Sequence, residues 1–151
     1  MHIGTYIKIV HKSEIDLAEA WIKVAEVHGD EVDIQQTCKL LSSWSRELAS
    51  MMEPFVGRYE GKEDNEPDRL TKTLMKKTRT GGMALLRDLH DLYLIATEVE
   101  ICCTILKQGA LGLRDKPLDE ACDYINSQTK RQRSWLQTRM KSATPQTLIA
   151  Q

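Results

Sequence analysis

Two glutamates and two histidines stand at positions where a long helix normally carries apolar side chains. In the stretch "VHKSEIDLAEAW", residues 10–21, a helical turn of about 100° per residue places Glu14 in the middle of an apolar stripe, with His11 toward the same side. Glu100 and His90 fall in the same way within the predicted buried arc of a later segment. An ionised carboxylate in an apolar core costs several kcal/mol, so these groups need a hydrogen-bond partner, a counter-ion or a bound metal. A divalent ion or a small ligand could meet this need, and so could a hydrogen-bonded network.

Neutral polar side chains join these groups at the predicted interior positions. A helical hairpin about Gly29 brings Ser45 level with Glu14, and Thr129 and Gln132 interrupt the apolar stripe of the last helical segment. The candidate ligand-binding residues are therefore His11, Glu14, His90, Thr97, Glu100, Thr129 and Gln132. None of them is assigned a catalytic role or a metal. Three interpretations stay open, namely a satisfied buried network that sets helix register, a single-metal or small-ligand pocket, and side chains that reach solvent.

Four long helical segments must position these side chains within a single domain, residues 1–151. Helical periodicity without an internal repeat predicts helices over residues 4–28, 31–58, 82–112 and 116–143. Gly29 ends the first helix, and Asp30 is the expected cap of the second. Asp115 is the expected cap of the fourth helix, with Pro117 in its first turn, and Pro145 is expected to end it. The apolar stripe continues past Pro54, which favours a kink there over a helix end.

The connection between the second and third helices is long and acidic at its start. Residues 60–68, "EGKEDNEPD", predict an exposed linker, and residues 67–78 predict a short helix capped by Asp68. In a four-helix bundle the connection either crosses the full length of the bundle, which gives an up-up-down-down order in pairs, or folds back on one end. The sequence does not distinguish these two topologies.

Composition indicates an all-α protein and excludes several classes of function. The 21 basic and 22 acidic residues give a net charge of −1, so no overall field attracts nucleic acid or an anionic membrane. The basic run at residues 130–141 is typical of a solvated helix end, and "RTGG", residues 79–82, is typical of a simple turn. Charges interrupt the apolar residues 83–113, which argues against a membrane-spanning helix.

The cysteines and the size of the chain limit the expected cofactors. The four cysteines include no C-x-x-C pair, which argues against a zinc knuckle. Unpaired cysteines and an interrupted apolar run near the start predict a cytoplasmic protein. A chain of 151 residues is long enough to bury a core of its own, so we expect no cofactor to be required for folding.

With four long helices, short-long-short connections and inward glutamates on the first and third helices, the chain resembles the ferritin-like superfamily. In that resemblance Glu14 and Glu100 match the glutamates of the first and third helices of di-iron members. The Glu-x-x-His motifs of the second and fourth helices are absent. The resemblance therefore implies a ferritin-like bundle that has lost its di-iron site and acts as a structural or protein-interaction module.

Two further expectations concern assembly and the alternative function. We expect a homodimer formed through flat helix faces, which would cover exposed apolar residues such as Trp44 or Trp135. The alternative function is a metal-dependent oxidoreductase or small-ligand binder that uses the interior Glu/His cluster. Whether the protein is an enzyme stays open on the sequence.

Overall fold

A computed structural model describes residues 1–62, 74–75 and 77–150 and confirms the all-α class. Four helices follow one another along the chain: α1 (Ile3–Val27), α2 (Val32–Arg58), α3 (Ala84–Gly112) and α4 (Lys116–Leu148). Within the described residues, none of these helices combines the length and the apolarity that a membrane crossing requires. The predicted linker 60–68 and the predicted short helix 67–78 lie largely outside the described residues.

The contacts between helices show how they are ordered. The short turns after α1 and α3 make α1 antiparallel to α2 and α3 antiparallel to α4. His28, at the end of α1, contacts Asp88 near the start of α3, whereas Ile3 packs against Gly109 at the opposite end of the bundle. α1 and α3 are therefore antiparallel as well.

The end of α2 and the start of α3 lie at opposite ends of the bundle. Arg58, at the end of α2, pairs with Asp115 at the start of α4, and Asp33 at the start of α2 pairs with Arg139. α2 and α4 are thus antiparallel, which makes α2 and α3 parallel. Of the two topologies that the sequence left open, the structure has the crossover, and its order is up-down-down-up rather than the up-up-down-down order named for it, because each short turn makes the two helices that it joins antiparallel.

Most predicted helix ends agree with the structure within two residues, and the exceptions have local causes. The Asp115 side chain caps α4 by accepting a hydrogen bond from the Leu118 N–H at 3.2 Å, as predicted. The predicted Asp30 cap is wrong, since α2 starts after Glu31 and that residue makes no capping bond through its side chain. α4 does not end at Pro145 but continues to Leu148, because a proline in the last turn removes only one hydrogen bond.

The core is built from apolar side chains of all four helices. The face that α3 turns toward it differs from the face that the periodicity predicted. The periodicity of residues 82–112 predicts Leu111 on the buried side and Asp88 and Asp91 on the solvent side. In the structure Asp88 and Asp91 are buried, whereas Leu111 is exposed. Apolar residues occur on every side of α3, so the hydrophobic pattern does not select one face. This rotation decides which of the predicted polar residues reach the interior.

Candidate polar site in the bundle interior

Glu14 is completely enclosed at the middle of α1. Its exposed fraction is 0%, and neither carboxyl oxygen has a hydrogen-bond partner among the described residues. Burial in an apolar environment raises the pKa of this carboxyl group to about 8. The Ser45 hydroxyl faces the group and offsets part of that increase without reaching hydrogen-bond geometry. Near neutral pH, Glu14 is therefore mostly a protonated, uncharged acid.

Gln132 on α4 connects this level of the bundle to α2. Its Nε2 donates to the Ser45 hydroxyl at 2.9 Å and to the Leu41 carbonyl at 3.1 Å. Its Oε1 is buried and has no partner among the described residues. The neighbouring Thr129 is also fully buried, and its hydroxyl donates to the Ile125 carbonyl of its own helix at 2.8 Å. The predicted burial of Glu14, Thr129 and Gln132 is therefore confirmed.

α3 contributes Cys103, which was not among the predicted site residues, to the same level. Cys103 and Cys122 of α4 are both fully buried, and the Cys103 thiol interacts with the Cys122 thiol and with the Glu14 carboxyl group. The contact with Cys122 and burial raise the pKa of the Cys103 thiol well above its usual range. A polar layer thus runs through the bundle, with one or more residues from each helix: Glu14, Ser45, Cys103, Thr129 and Gln132.

The second predicted carboxylate of the site does not enter this layer. Glu100 is partly exposed, its side chain at 39%, and it forms an ion pair with Arg133 of α4. The same guanidinium donates to the Tyr93 hydroxyl at 3.0 Å and stacks on the Tyr93 ring. The predicted inward orientation of Glu100 is wrong because α3 is rotated relative to the assumed face.

The remaining predicted site residues, His11, His90 and Thr97, form no hydrogen bond with Glu14. His90 is exposed, and the half-buried Thr97 donates its hydroxyl to the Tyr93 carbonyl of its own helix at 2.8 Å. His11 lies between α1 and α2, with its Nε2 4.0 Å from the Glu53 carboxylate. The structure therefore does not bring the predicted Glu/His cluster together.

A second group of buried charges lies at the end of the bundle where α1 ends and α3 begins. The His28 Nε2 and the Asp88 Oδ2 are 2.8 Å apart, and Arg79 donates to the other oxygen of Asp88 at 2.9 Å. Arg79 also lies 2.7 Å from the Asp91 carboxylate. We name these residues, His28, Arg79, Asp88 and Asp91, the end cluster. The i, i+3 spacing of the two aspartates on one helix face was the available signal for it.

The chemistry open to the interior layer is limited by its residue types. Among residues 1–62, 74–75 and 77–150, no group of three or more His, Cys, Asp or Glu side chains is placed to hold a metal ion. The layer offers one carboxyl group, one amide, hydroxyls and thiols, which can accept and donate hydrogen bonds. It contains no base next to a nucleophile in a geometry that would activate it.

Comparison of the chain with protein-family models, with curated proteins and with solved structures finds no match.

Proposed function

We propose that this chain is a non-catalytic helical bundle of ferritin-like shape that lacks a di-iron centre. In this proposal it works in the cytoplasm as a structural or protein-interaction module and forms a homodimer. The observation that carries the proposal is the isolation of Glu14: the only other predicted carboxylate of the site, Glu100, faces outward and pairs with Arg133. A dinuclear centre needs several carboxylates and imidazoles around the same point.

The order of the helices supports the ferritin-like part of the proposal. A four-helix bundle with one long crossover between the second and third helices is the arrangement of ferritin-like folds. The interior layer then has a structural role. Gln132 binds both Ser45 and the Leu41 carbonyl, so a shift of α4 along α2 would break two buried hydrogen bonds. Such a layer sets the register of the helices.

Metal analysis of protein purified without chelator tests this proposal. We expect iron, manganese and zinc far below one equivalent per chain, both in the wild type and in Glu14→Gln. Glu14→Gln keeps the shape of the side chain and removes its ability to ionise, which makes it the matched variant. Stoichiometric metal in the wild type that is lost in Glu14→Gln would support the metal-dependent oxidoreductase instead.

A small-ligand binder is the second candidate, and one observation favours it. Both oxygens of Glu14 and the Oε1 of Gln132 are buried without partners among the described residues, and buried polar atoms normally have them. A small molecule with hydrogen-bond donors would satisfy all three atoms. Native mass spectrometry of the purified protein would detect it as an added mass that disappears in Gln132→Leu, and an unmodified chain mass would count against this candidate.

A further inference from the structure

Among the described residues of the interior layer, two side chains carry buried oxygen atoms without a hydrogen-bond partner. Both oxygens of Glu14 and the Oε1 of Gln132 are of this kind. The buried hydroxyls nearby are satisfied by the protein itself. Ser42 of α2 donates to a carbonyl of α1 at 2.8 Å, and Thr129 donates to a carbonyl of its own helix at 2.8 Å. Because buried polar atoms normally have a partner, these three oxygens call for one.

The hydrogen bonds of Gln132 fix the kind of group that its Oε1 requires. Its Nε2 uses both hydrogens, one toward the Ser45 hydroxyl at 2.9 Å and one toward the Leu41 carbonyl at 3.1 Å. A carbonyl oxygen only accepts hydrogen bonds, so a reversed amide would bring two acceptors together at Leu41. The amide therefore keeps this orientation, and its Oε1 requires a donor.

The Ser45 hydroxyl brings Glu14 and Gln132 to the same point. Ser45 is completely buried, accepts a hydrogen bond from Gln132 and interacts with the Glu14 carboxyl group. Because a single hydroxyl interacts with both side chains, the gap that a bridging group must span is comparable to one oxygen atom with its hydrogens. A group that joins Glu14 to Gln132 is therefore small.

The charge at this point favours a neutral group. Burial raises the pKa of Glu14 to about 8, so near neutral pH it is mostly the uncharged acid, which attracts a cation only weakly. α3 presents the Cys103 thiol to it and α2 presents the Ser45 hydroxyl. In the part of the chain that the structure describes, no three metal-binding side chains meet. An anion is disfavoured as well, because Oε1 of Gln132 is an acceptor.

We propose that a single water molecule is bound between Glu14 and Gln132 as part of the interior layer. The water accepts the acid hydrogen of Glu14 and donates one of its own hydrogens to Oε1 of Gln132. The hydrogen of the Ser45 hydroxyl is then left for the second carboxyl oxygen, so all three buried oxygens gain a partner. Internal waters of folded proteins make about two to four hydrogen bonds to buried polar groups of this kind.

The water gives α1 a place in the network that sets the helix register, so the inference rests on the proposed structural role of the layer. The hydrogen bonds of Gln132 join α4 to α2 only. Through the water and Ser45, Glu14 joins α1 to both of these helices. This role accounts for a polar side chain in the middle of the apolar stripe of α1.

Crystal structures of the wild type, Glu14→Gln and Glu14→Leu, at a resolution that shows ordered water, test this inference. In the wild type we expect one ordered water within hydrogen-bond distance of both the Glu14 carboxyl group and Oε1 of Gln132. Glu14→Gln is the matched control, because its amide still donates and accepts and should keep the water. Glu14→Leu removes every hydrogen-bonding atom of this side chain, so the water should be lost.

The outcomes separate this inference from the proposed function. A direct hydrogen bond between Glu14 and Gln132, no ordered oxygen beside these atoms, or a water that persists in Glu14→Leu would overturn it. A larger molecule in this position would overturn it in favour of the small-ligand binder. Circular dichroism and thermal unfolding show whether each variant is folded, and if Glu14→Leu is not, the wild type and Glu14→Gln decide. The metal analysis decides separately whether the proposed function fails.

Discussion

The interior layer and the end cluster show two ways in which one bundle accommodates buried carboxyl groups. Asp88 and Asp91 are nearly as buried as Glu14, but the Arg79 guanidinium lies 2.7 to 2.9 Å from both carboxylates, and the His28 Nε2 lies 2.8 Å from Asp88. Among the described residues no cation pairs with Glu14 and no donor reaches its oxygens in hydrogen-bond geometry, and its pKa rises to about 8 instead. Burial alone therefore does not determine the charge of a carboxyl group; the partners that the tertiary structure supplies decide it.

The pH dependence of stability should show the largest difference between the two regions. The folded-state pKa of Glu14 is raised, so the folded protein holds this proton more tightly than the unfolded chain does. The contribution of Glu14 is constant below pH about 4.5, falls as the pH rises toward 8, and then levels off. The total loss is up to about 5 kcal/mol.

Urea denaturation of the wild type and of Glu14→Gln across this pH range measures that contribution. The stability of Glu14→Gln relative to the wild type should rise with pH between 4.5 and 8, because the amide cannot ionise. A constant difference between the two proteins over the whole range would show that Glu14 is not the group that titrates.

Removal of Arg79, the cation that Asp88 and Asp91 share, should leave buried carboxyl groups without a cation, as Glu14 is in the interior layer. Among the described residues, Arg79→Ala leaves Asp88 with His28 alone and leaves Asp91 with no cation, so we expect a loss of about 2 to 3 kcal/mol at neutral pH. Because Arg79 is partly exposed, the expected loss of stability is smaller than the loss on breaking a fully buried ion pair. The measurement is chemical denaturation, with the exposed Arg87→Ala as the control, for which the change should be within about 0.5 kcal/mol.

A smaller loss of stability is expected when the Gln132 amide is removed from the interior layer. Gln132→Met removes two buried hydrogen bonds but also removes the buried Oε1 that has no partner, so the two effects partly cancel. We expect a loss of about 1 kcal/mol in thermal or chemical unfolding. Thr129→Val, one turn away, is the control for packing at this level. A loss several times larger in Gln132→Met would mean that the amide makes a stronger contact than its two hydrogen bonds.

The predictions from sequence succeeded where the hydrophobic pattern was one-sided. On α1 the apolar residues form a single stripe, so the enclosed position of Glu14 followed from periodicity alone. On α4 the polar interruptions Thr129 and Gln132 stood out within an apolar stripe, and both are buried. On α3, apolar side chains occur all round the helix, and the wrong face placed Glu100 inside and Asp88 outside.

The amino-acid sequence by itself determined the helices, the turns between them and the enclosure of Glu14, because these depend on local propensity and on the period of one amphipathic stripe. Only the tertiary structure decided the rotation of α3, the crossover between α2 and α3, and the partners of each buried charge. Those features depend on contacts between residues far apart in the chain, such as His28 with Asp88 and Ser45 with Gln132. Helical periodicity describes one helix at a time and carries no information about such pairs.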